Sequence, residues 1–335
     1  MSLERVGKRA GVSIATVSRV LNGTAPVSEA TRQRVLEAIE ELNYAPSYAA
    51  RALASHATRT LGVIFPDIDS GFFTEVLKGI NAEAAREQYE AVFAFGRSTT
   101  DGVRLVRQYV MERRVDALIV MNLQLPGELL DNLDTTRVPV VLMDRPADHS
   151  GVYVVSIDNT AGAYQAMRHL LVNHGCQSVA VITGPSDSTD SRQRLSGCRK
   201  AAREAGVKLP PNSIWRGTFR EDSGFTAVCS VLESGGRLPE AIFALNDRMA
   251  IGALDAIKQA GLRVPDDVKL VGFDDEPMAR HLGLTTVHVP LVDFGALAVR
   301  AAVMQIRKEV PGDDWNPLVS TRLVVRETCG GGSVA

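Results

Sequence analysis

An α/β fold with mostly parallel sheets, preceded by a small all-α head, is predicted by three features of this 335-residue sequence. From Thr60 onward, apolar runs of strand length alternate with amphipathic stretches of helical period, the order that joins parallel strands through covering helices. Ahead of Thr60, the apolar spacing reads as helices. The series of runs is also too long for one comfortable sheet and divides near Asp158 into two similar halves, which predicts two lobes. Set against about 150 residues per domain, the length allows two to three domains. Hydrophobic residues are 45% of the chain and charged residues 23%, so neither a disordered chain nor a fibrous repeat is expected. No apolar stretch approaches the roughly 18 residues that span a bilayer, and charges run through the amino-terminal segment, unlike a secretory signal. A cytoplasmic protein without membrane association is the expectation.

The elements of the head follow from caps and stripes. Leu3–Ala10 reads as a short helix stopped at Gly11, and Ser13 caps a second helix over 14–21, with Val17, Val20 and Leu21 as its stripe and Asn22-Gly23 as its stop. Two helices around so tight a corner form a helix-turn-helix, whose second helix offers its first residues to a DNA major groove. Ser28 caps a third helix that packs through Val35, Leu36, Ile39 and Leu42 and ends before Asn43. The formal net charge is −2, but residues 1–34 hold Arg5, Lys8, Arg9, Arg19, Arg32 and Arg34 against Glu4 and Glu29. A basic end on an acidic body suits a chain that meets a polyanion at one end only. Ile14, Ala15 and Arg19 lie outside the apolar stripe, and Arg19 can fork onto guanine O6 and N7. Ser13, Thr16, Ser18 and Asn22 are short polar residues suited to phosphate oxygens.

The run AGVSIATVSRVLNG at 10–23, followed by VSEATRQRV at 27–35, resembles the LacI/GalR family of transcriptional regulators. The resemblance implies that Ile14, Ala15 and Arg19 read bases. Next comes ELNYAPSYAARALAS at 41–55, where Pro46 can open a short helix and Ala49, Ala50, Ala52 and Ala54 keep it slim enough for a narrow groove. It is shorter than the roughly 12 to 15 residues at which isolated helices become marginal in water, so it is expected to fold on binding. The family resemblance makes Leu53 a wedge at a central base step, with Ala50 a candidate backbone contact. A two-fold homodimer on a near-palindromic double-stranded operator is expected, and not a tetramer, since no heptad-patterned tail follows the last strand. The organisation expected is a DNA-binding head over 1–45, a hinge helix and linker over 46–59, and an effector and dimerisation domain over 60–330. Its first lobe covers about 60–158 and 288–317, its second about 159–287 and 318–330.

Strands are predicted at 61–65, 91–95, 117–121, 138–143, 152–157, 179–183, 241–245 and 270–273, with helices at 73–88, 103–113, 160–174, 195–205 and 248–260. The segment 286–306 reads as chain returning to the first half before 323–325 rejoins the second. The motifs GVIFPDIDSGFF at 62–73, RVDALIV at 114–120, VPVVLMDR at 138–145, SRQRLSG at 191–197, FALNDRMAIGAL at 243–254, RVPDDVKLVGFDD at 263–275 and TTVHVP at 285–290 resemble the periplasmic-binding-protein type 1 fold that the family uses to bind effectors. In open α/β sheets ligands sit beyond the carboxyl ends of strands. Asp144, Asn246 and Asp274 close strands there, while Asp190 and Arg194 stand at the start of a helix. Carboxylates, an amide and a guanidinium match the donors and acceptors of sugar hydroxyls, and Phe72, Phe73 and Phe219 can stack on a ring. With Ser70, these residues form the candidate site for a small-molecule effector, expected to be a carbohydrate. Asp144 and Asp274 could instead cap loops and Asn246 a helix, and of the adjacent Phe72 and Phe73 at most one is expected to point fully into the cleft. Val289 is apolar where some sugar-binding relatives carry a polar residue.

The sequence has no GxSxG elbow, HExxH, GxxxxGK[ST] or GxGxxG, so no enzyme and no cofactor is expected. The cysteines, Cys176, Cys198, Cys229 and Cys329, contain no CxxC pair and read as free thiols. His169 and His174, five residues apart, should not share an α-helical face, so no metal site is expected either. The alternatives are a regulator answering to a nucleoside, a purine or a protein partner, and a solute-binding protein of a transporter, which would need an export signal.

Overall fold

Three short helices build the head, each for a reason visible in its residues. In the computed structural model, which describes residues 2–22, 25–44, 57–66, 70–96, 98–121, 125–133, 135–144, 152–309, 315 and 317–331, α1 spans Leu3–Ala10, α2 Ile14–Asn22 and α3 Glu29–Glu41. Gly11 ends α1 in the left-handed conformation at φ 67°. The corner is tight enough that a Cβ at Gly7 would lie 2.9 Å from the carbonyl oxygen of Val12. Ser13 Oγ accepts from Thr16 N at 3.2 Å and Ser28 Oγ from Thr31 N at 3.4 Å, so both predicted caps form. Val6, Ala10, Val17, Val35, Ala38 and Tyr44 make the small core. Leu36, expected on the packing face, is exposed, because the inward row of α3 runs through Val35, Ala38 and Ile39. The roles expected of Ala50 and Leu53, and of the Asn22 side chain, fall outside the described residues.

The chain divides into two compact units, Met1–Arg59 and Thr60–Ala335. In the second unit the described strands form two sheets. The first contains β1 (Thr60–Phe65), β2 (Glu90–Phe95), β3 (Ala117–Met121), β4 (Val140–Met143), β5 (Val152–Ile157) and β11 (Leu318–Val319), in the order β11-β5-β4-β3-β1-β2. The second contains β6 (Val179–Thr183), β7 (Ile214–Arg216), β8 (Ala241–Ala244), β9 (Lys269–Asp274), β10 (Thr285–His288) and β12 (Arg322–Val324), in the order β12-β10-β9-β8-β6-β7. Pairing is parallel except that β12 runs antiparallel to β10. Parallel strands with both faces covered are near-continuous apolar runs, as in ALIVM of β3, which is buried throughout.

Covering helices are α4 (Gly71–Arg86), α5 (Thr99–Met111), α6 (Gly127–Asp131), α7 (Asn159–Arg168), α8 (Thr189–Glu204), α9 (Glu221–Glu233), α10 (Asp247–Gln259), α11 (Pro277–His281) and α12 (Leu291–Arg307). The returning helix α12 packs on α4 at backbone contact: a Cβ at Gly79 would lie 1.9 Å from Val292 O, and one at Gly295 2.2 Å from Val76 O. The chain passes between the lobes after β5, after β10 and between β11 and β12. His288 still pairs in the second sheet, and Leu318–Val319 pairs with Ser156 and Ile157 of the first, so both crossings lie slightly later than the 288 and 318 expected. No helix among the described residues is long and apolar enough to cross a membrane.

After Arg168 the ladder of α7 widens into one π-helical turn, His169–Asn173, with His174 N donating to His169 O at 3.2 Å. This overturns the reading that His169 and His174 diverge. On a π turn a spacing of five brings side chains back to one face, and the two Nε2 atoms are 3.1 Å apart.

Candidate functional site

The head presents the start of α2 to solvent. Val17 faces the core while Ile14, Ala15 and Arg19 are exposed, Ile14 by 50%. The Thr16 hydroxyl sits 3.0 Å from that of Ser13, and Ser18 is half-buried beside them. The residues expected to read bases therefore stand free of the apolar stripe, next to short polar groups on the same helix start.

In the second unit, the nine candidates drawn from the sequence, Ser70, Phe72, Phe73, Asp144, Asp190, Arg194, Phe219, Asn246 and Asp274, line one cavity of about 180 Å³ between the lobes. They come from the carboxyl ends of β4, β8 and β9, from the first two turns of α4 and α8, and, for Phe219, from the segment between β7 and α9. Both Phe72 and Phe73 line it, packed edge to face at 5.4 Å. The first turn of a helix lets the two fan around its end while Phe73 also touches Phe65 of the core.

Arg194 organises the polar floor. Its Nε donates to Asn159 Oδ1 at 2.7 Å, its Nη1 to Leu245 O at 2.6 Å, its Nη2 lies 3.2 Å from Asp274 Oδ1, and its guanidinium stacks 3.8 Å over the Phe273 ring. Asn159 in turn donates to Asp144 Oδ1 at 3.2 Å and to Gln193 Oε1 at 3.1 Å. Burial and the nearby Asp190 charge push the Asp144 carboxyl well above its usual range, against the pull of Arg194. Asp190 is raised as well, again by burial first and against the pull of Arg194. Asp274 is pushed up to about 7, by burial above all and despite Arg194. Its Oδ1 is buried in ion-pair contact with Arg194 Nη2.

Asn246 does cap α10: its Oδ1 accepts from Met249 N at 3.0 Å. Its Nδ2 donates to Phe219 O at 2.9 Å, so the amide also fixes Phe219, whose backbone stands at φ 64°. A Cβ at Gly184 would fall 2.2 Å from the Phe219 ring, so only glycine leaves that ring its place. Asp144 and Asp274 also have positive φ, 55° and 114°. Three residues in sparsely populated conformations at one cavity is the pattern of a functional site whose strain is held by its surroundings.

Sequence reasoning missed Asn159, Arg220, Arg248 and Glu276. Glu276 reaches from the second lobe to accept from Gly71 N at 3.1 Å, at the amino end of α4 in the first lobe. Its other oxygen is buried and unpartnered. Asp247, fully buried, accepts from Glu276 N at 2.8 Å and from the Thr286 hydroxyl at 2.5 Å, holding that arm in place. The GFDDEP context of Glu276, two residues beyond a strand-closing aspartate, was the available signal.

Comparison with known proteins agrees with both units. A family described as "Bacterial regulatory proteins, lacI family" matches residues 2–47, and a "Periplasmic binding protein-like domain" matches residues 167–329. The chain is 35% identical over 333 residues to the ribose operon repressor of Halalkalibacterium halodurans, covering 99% of this chain and 98% of that protein. It is 35% identical over 338 residues to the HTH-type transcriptional repressor PurR of Salmonella paratyphi B, covering 99% and 97%. Among solved structures, the lac repressor dimer bound to operator and the anti-inducer ONPF matches with a TM-score of 0.86 at 28% identity over 98% of this chain and 99% of that one. The transcriptional regulator CelR in complex with cellobiose matches with a TM-score of 0.73 at 32% identity and the same coverage. The chain belongs to the lacI family of bacterial transcriptional regulators.

Proposed function

We propose that the protein is a dimeric repressor whose head binds a near-palindromic operator and whose two-lobed unit takes a small polyhydroxylated effector, a sugar or sugar derivative. Base reading is assigned to Ile14, Ala15, Arg19 and Leu53, and backbone contact to Ser13, Thr16, Ser18, Asn22 and Ala50. The observation that carries the effector reading is the convergence of Asp144, Asp190, Arg194, Asn246 and Asp274 with Phe72, Phe73 and Phe219 on one cavity. Carboxylates, an amide and a guanidinium in an aromatic-lined cavity suit the hydroxyls of a ring with an apolar face. The second reading, a nucleoside or purine, is favoured by Phe72, Phe73 and Phe219 lining the same cavity, since a planar base stacks on any of them.

Calorimetry of the full-length protein against a panel of sugars, nucleosides and purine bases separates the two. Binding of a sugar that is lost in Asp274→Ala, while operator binding without effector persists, supports the first reading. A panel in which only nucleosides or bases bind overturns it.

A further inference from the structure

A second cluster of metal-binding chemistry stands away from the cleft. Among the described residues, His169, His174 and Cys329 each place one ligand atom within 4.8 Å of the others. The π-helical turn brings the two imidazoles together, with their Nε2 atoms 3.1 Å apart and their rings edge to face at 4.6 Å. Two nitrogens held at about 2.0–2.1 Å by a tetrahedral ion are about 3.3 Å apart, so the pair is nearly in place. Cys329 arrives from the far end of the chain on a turn, Glu327–Cys329, that Thr328 clamps beneath the second sheet. The Thr328 hydroxyl donates to Leu270 O at 2.7 Å and accepts from Thr285 N at 2.8 Å. Cys329 is fully buried, and its Sγ makes a long contact of 3.6 Å to Leu270 O. Both histidines are half-buried, which leaves an entry path.

We propose that His169, His174 and Cys329 form a site for a thiophilic d10 cation of the zinc class, with water in the fourth position. Burial keeps both imidazoles neutral to lower pH than usual, the form that ligates. Binding replaces the proton between the two Nε2 atoms, which moves to Nδ1 of the same ring, and releases one proton to solvent from the Cys329 thiol. The cluster lies near Lys269, at the opposite end of β9 from Asp274, and six residues of strand put about 17 Å between it and the cleft. The ion therefore acts as a staple between the end of α7 and the carboxyl-terminal turn, independent of the effector.

Cobalt(II) titration of the chelator-treated full-length protein tests this. The expected result is one ion per chain, with the visible bands of tetrahedral cobalt and a thiolate charge-transfer band, both bleached by added zinc. His174→Ala and Cys329→Ser each abolish the signal. His174 is half-buried, so its variant carries the test should Cys329→Ser fail to fold by circular dichroism. Absence of binding, a spectrum without thiolate charge transfer, or binding that survives His174→Ala overturns the proposal.

Discussion

Asp274→Asn probes how the cleft holds its charge. The unfolded aspartate titrates near 3.9, whereas burial raises the folded carboxyl to about 7 even with Arg194 Nη2 at 3.2 Å. The folded state thus holds a proton that the unfolded state releases. Its contribution to stability is fully present below about pH 4 and is lost as pH rises through about 7. Three units correspond to about 4 kcal/mol in full, of which about 2 to 3 kcal/mol is lost between pH 5 and pH 8. Asparagine does not titrate, so the variant escapes that loss, and removing the Asp274 charge, which helps to raise Asp247, acts in the same direction. Urea unfolding at pH 5 and pH 8, followed by the fluorescence of Trp215 and Trp315, reads the second unit alone, since both tryptophans lie in it. The stability difference between variant and parent should move by about 2 to 3 kcal/mol in favour of the variant at the higher pH. Parallel profiles, or a shift in favour of the parent, would mean that the ion pair with Arg194 outweighs burial and that Asp274 is an ordinary ionised partner.

Other perturbations follow from particular contacts. Arg19→Ala should cost roughly 1 to 3 kcal/mol in operator binding and relax preference at one base pair per half-site, measured against an operator library; a uniform loss across sequences would make Arg19 a phosphate contact. Leu53→Ala should reduce operator bending, seen by gel mobility of permuted sites, and leave effector affinity unchanged. Gly184→Ala should displace the Phe219 ring, given a Cβ only 2.2 Å from it, and weaken effector binding at least tenfold with little loss of stability, because the ring can swing into the cavity. Gly79→Ala forces α4 away from the Val292 carbonyl oxygen, 1.9 Å from the new Cβ, and should destabilise the second unit by about 3 kcal/mol, read as a fall in Tm of roughly 6 °C or more.

What the sequence makes legible depends on whether one local signal is sufficient. Ser13 and Ser28 mark helix starts because a cap residue precedes an apolar period, and each accepts the expected backbone hydrogen bond, whereas the cap that Ser70 makes with Phe73 N emerges only in the structure. Asp144, Asn246 and Asp274 are legible because each ends an apolar run, and a polar residue there reaches the cleft whatever lies far away in sequence. The strand β7 has three residues, too few for a period, and α9 follows it without a side-chain cap, so neither announces itself. Glu276 and Asn159 end no run; Glu276 meets Gly71 across 205 residues, and Asn159 meets Arg194 across 35. Such residues need the crossing of the chain between lobes before they have any role.

His169 and His174 show a different kind of blindness. Helical arithmetic at 3.6 residues per turn separates positions five apart, and on that count the pair has no chemistry. The count holds only while the i to i−4 ladder holds. Here the ladder gives way after Arg168: His174 N donates five residues back to His169 O, Gly175 takes φ 68°, and Cys176 N closes the end on Leu170 O at 3.1 Å. One widened turn rotates His174 back over His169, onto the side where Cys329 arrives from the carboxyl-terminal turn. π turns of this kind carry a cost in helix regularity and concentrate at functional positions. The same irregularity that hides the pair from periodicity is therefore a reason to look for a ligand there.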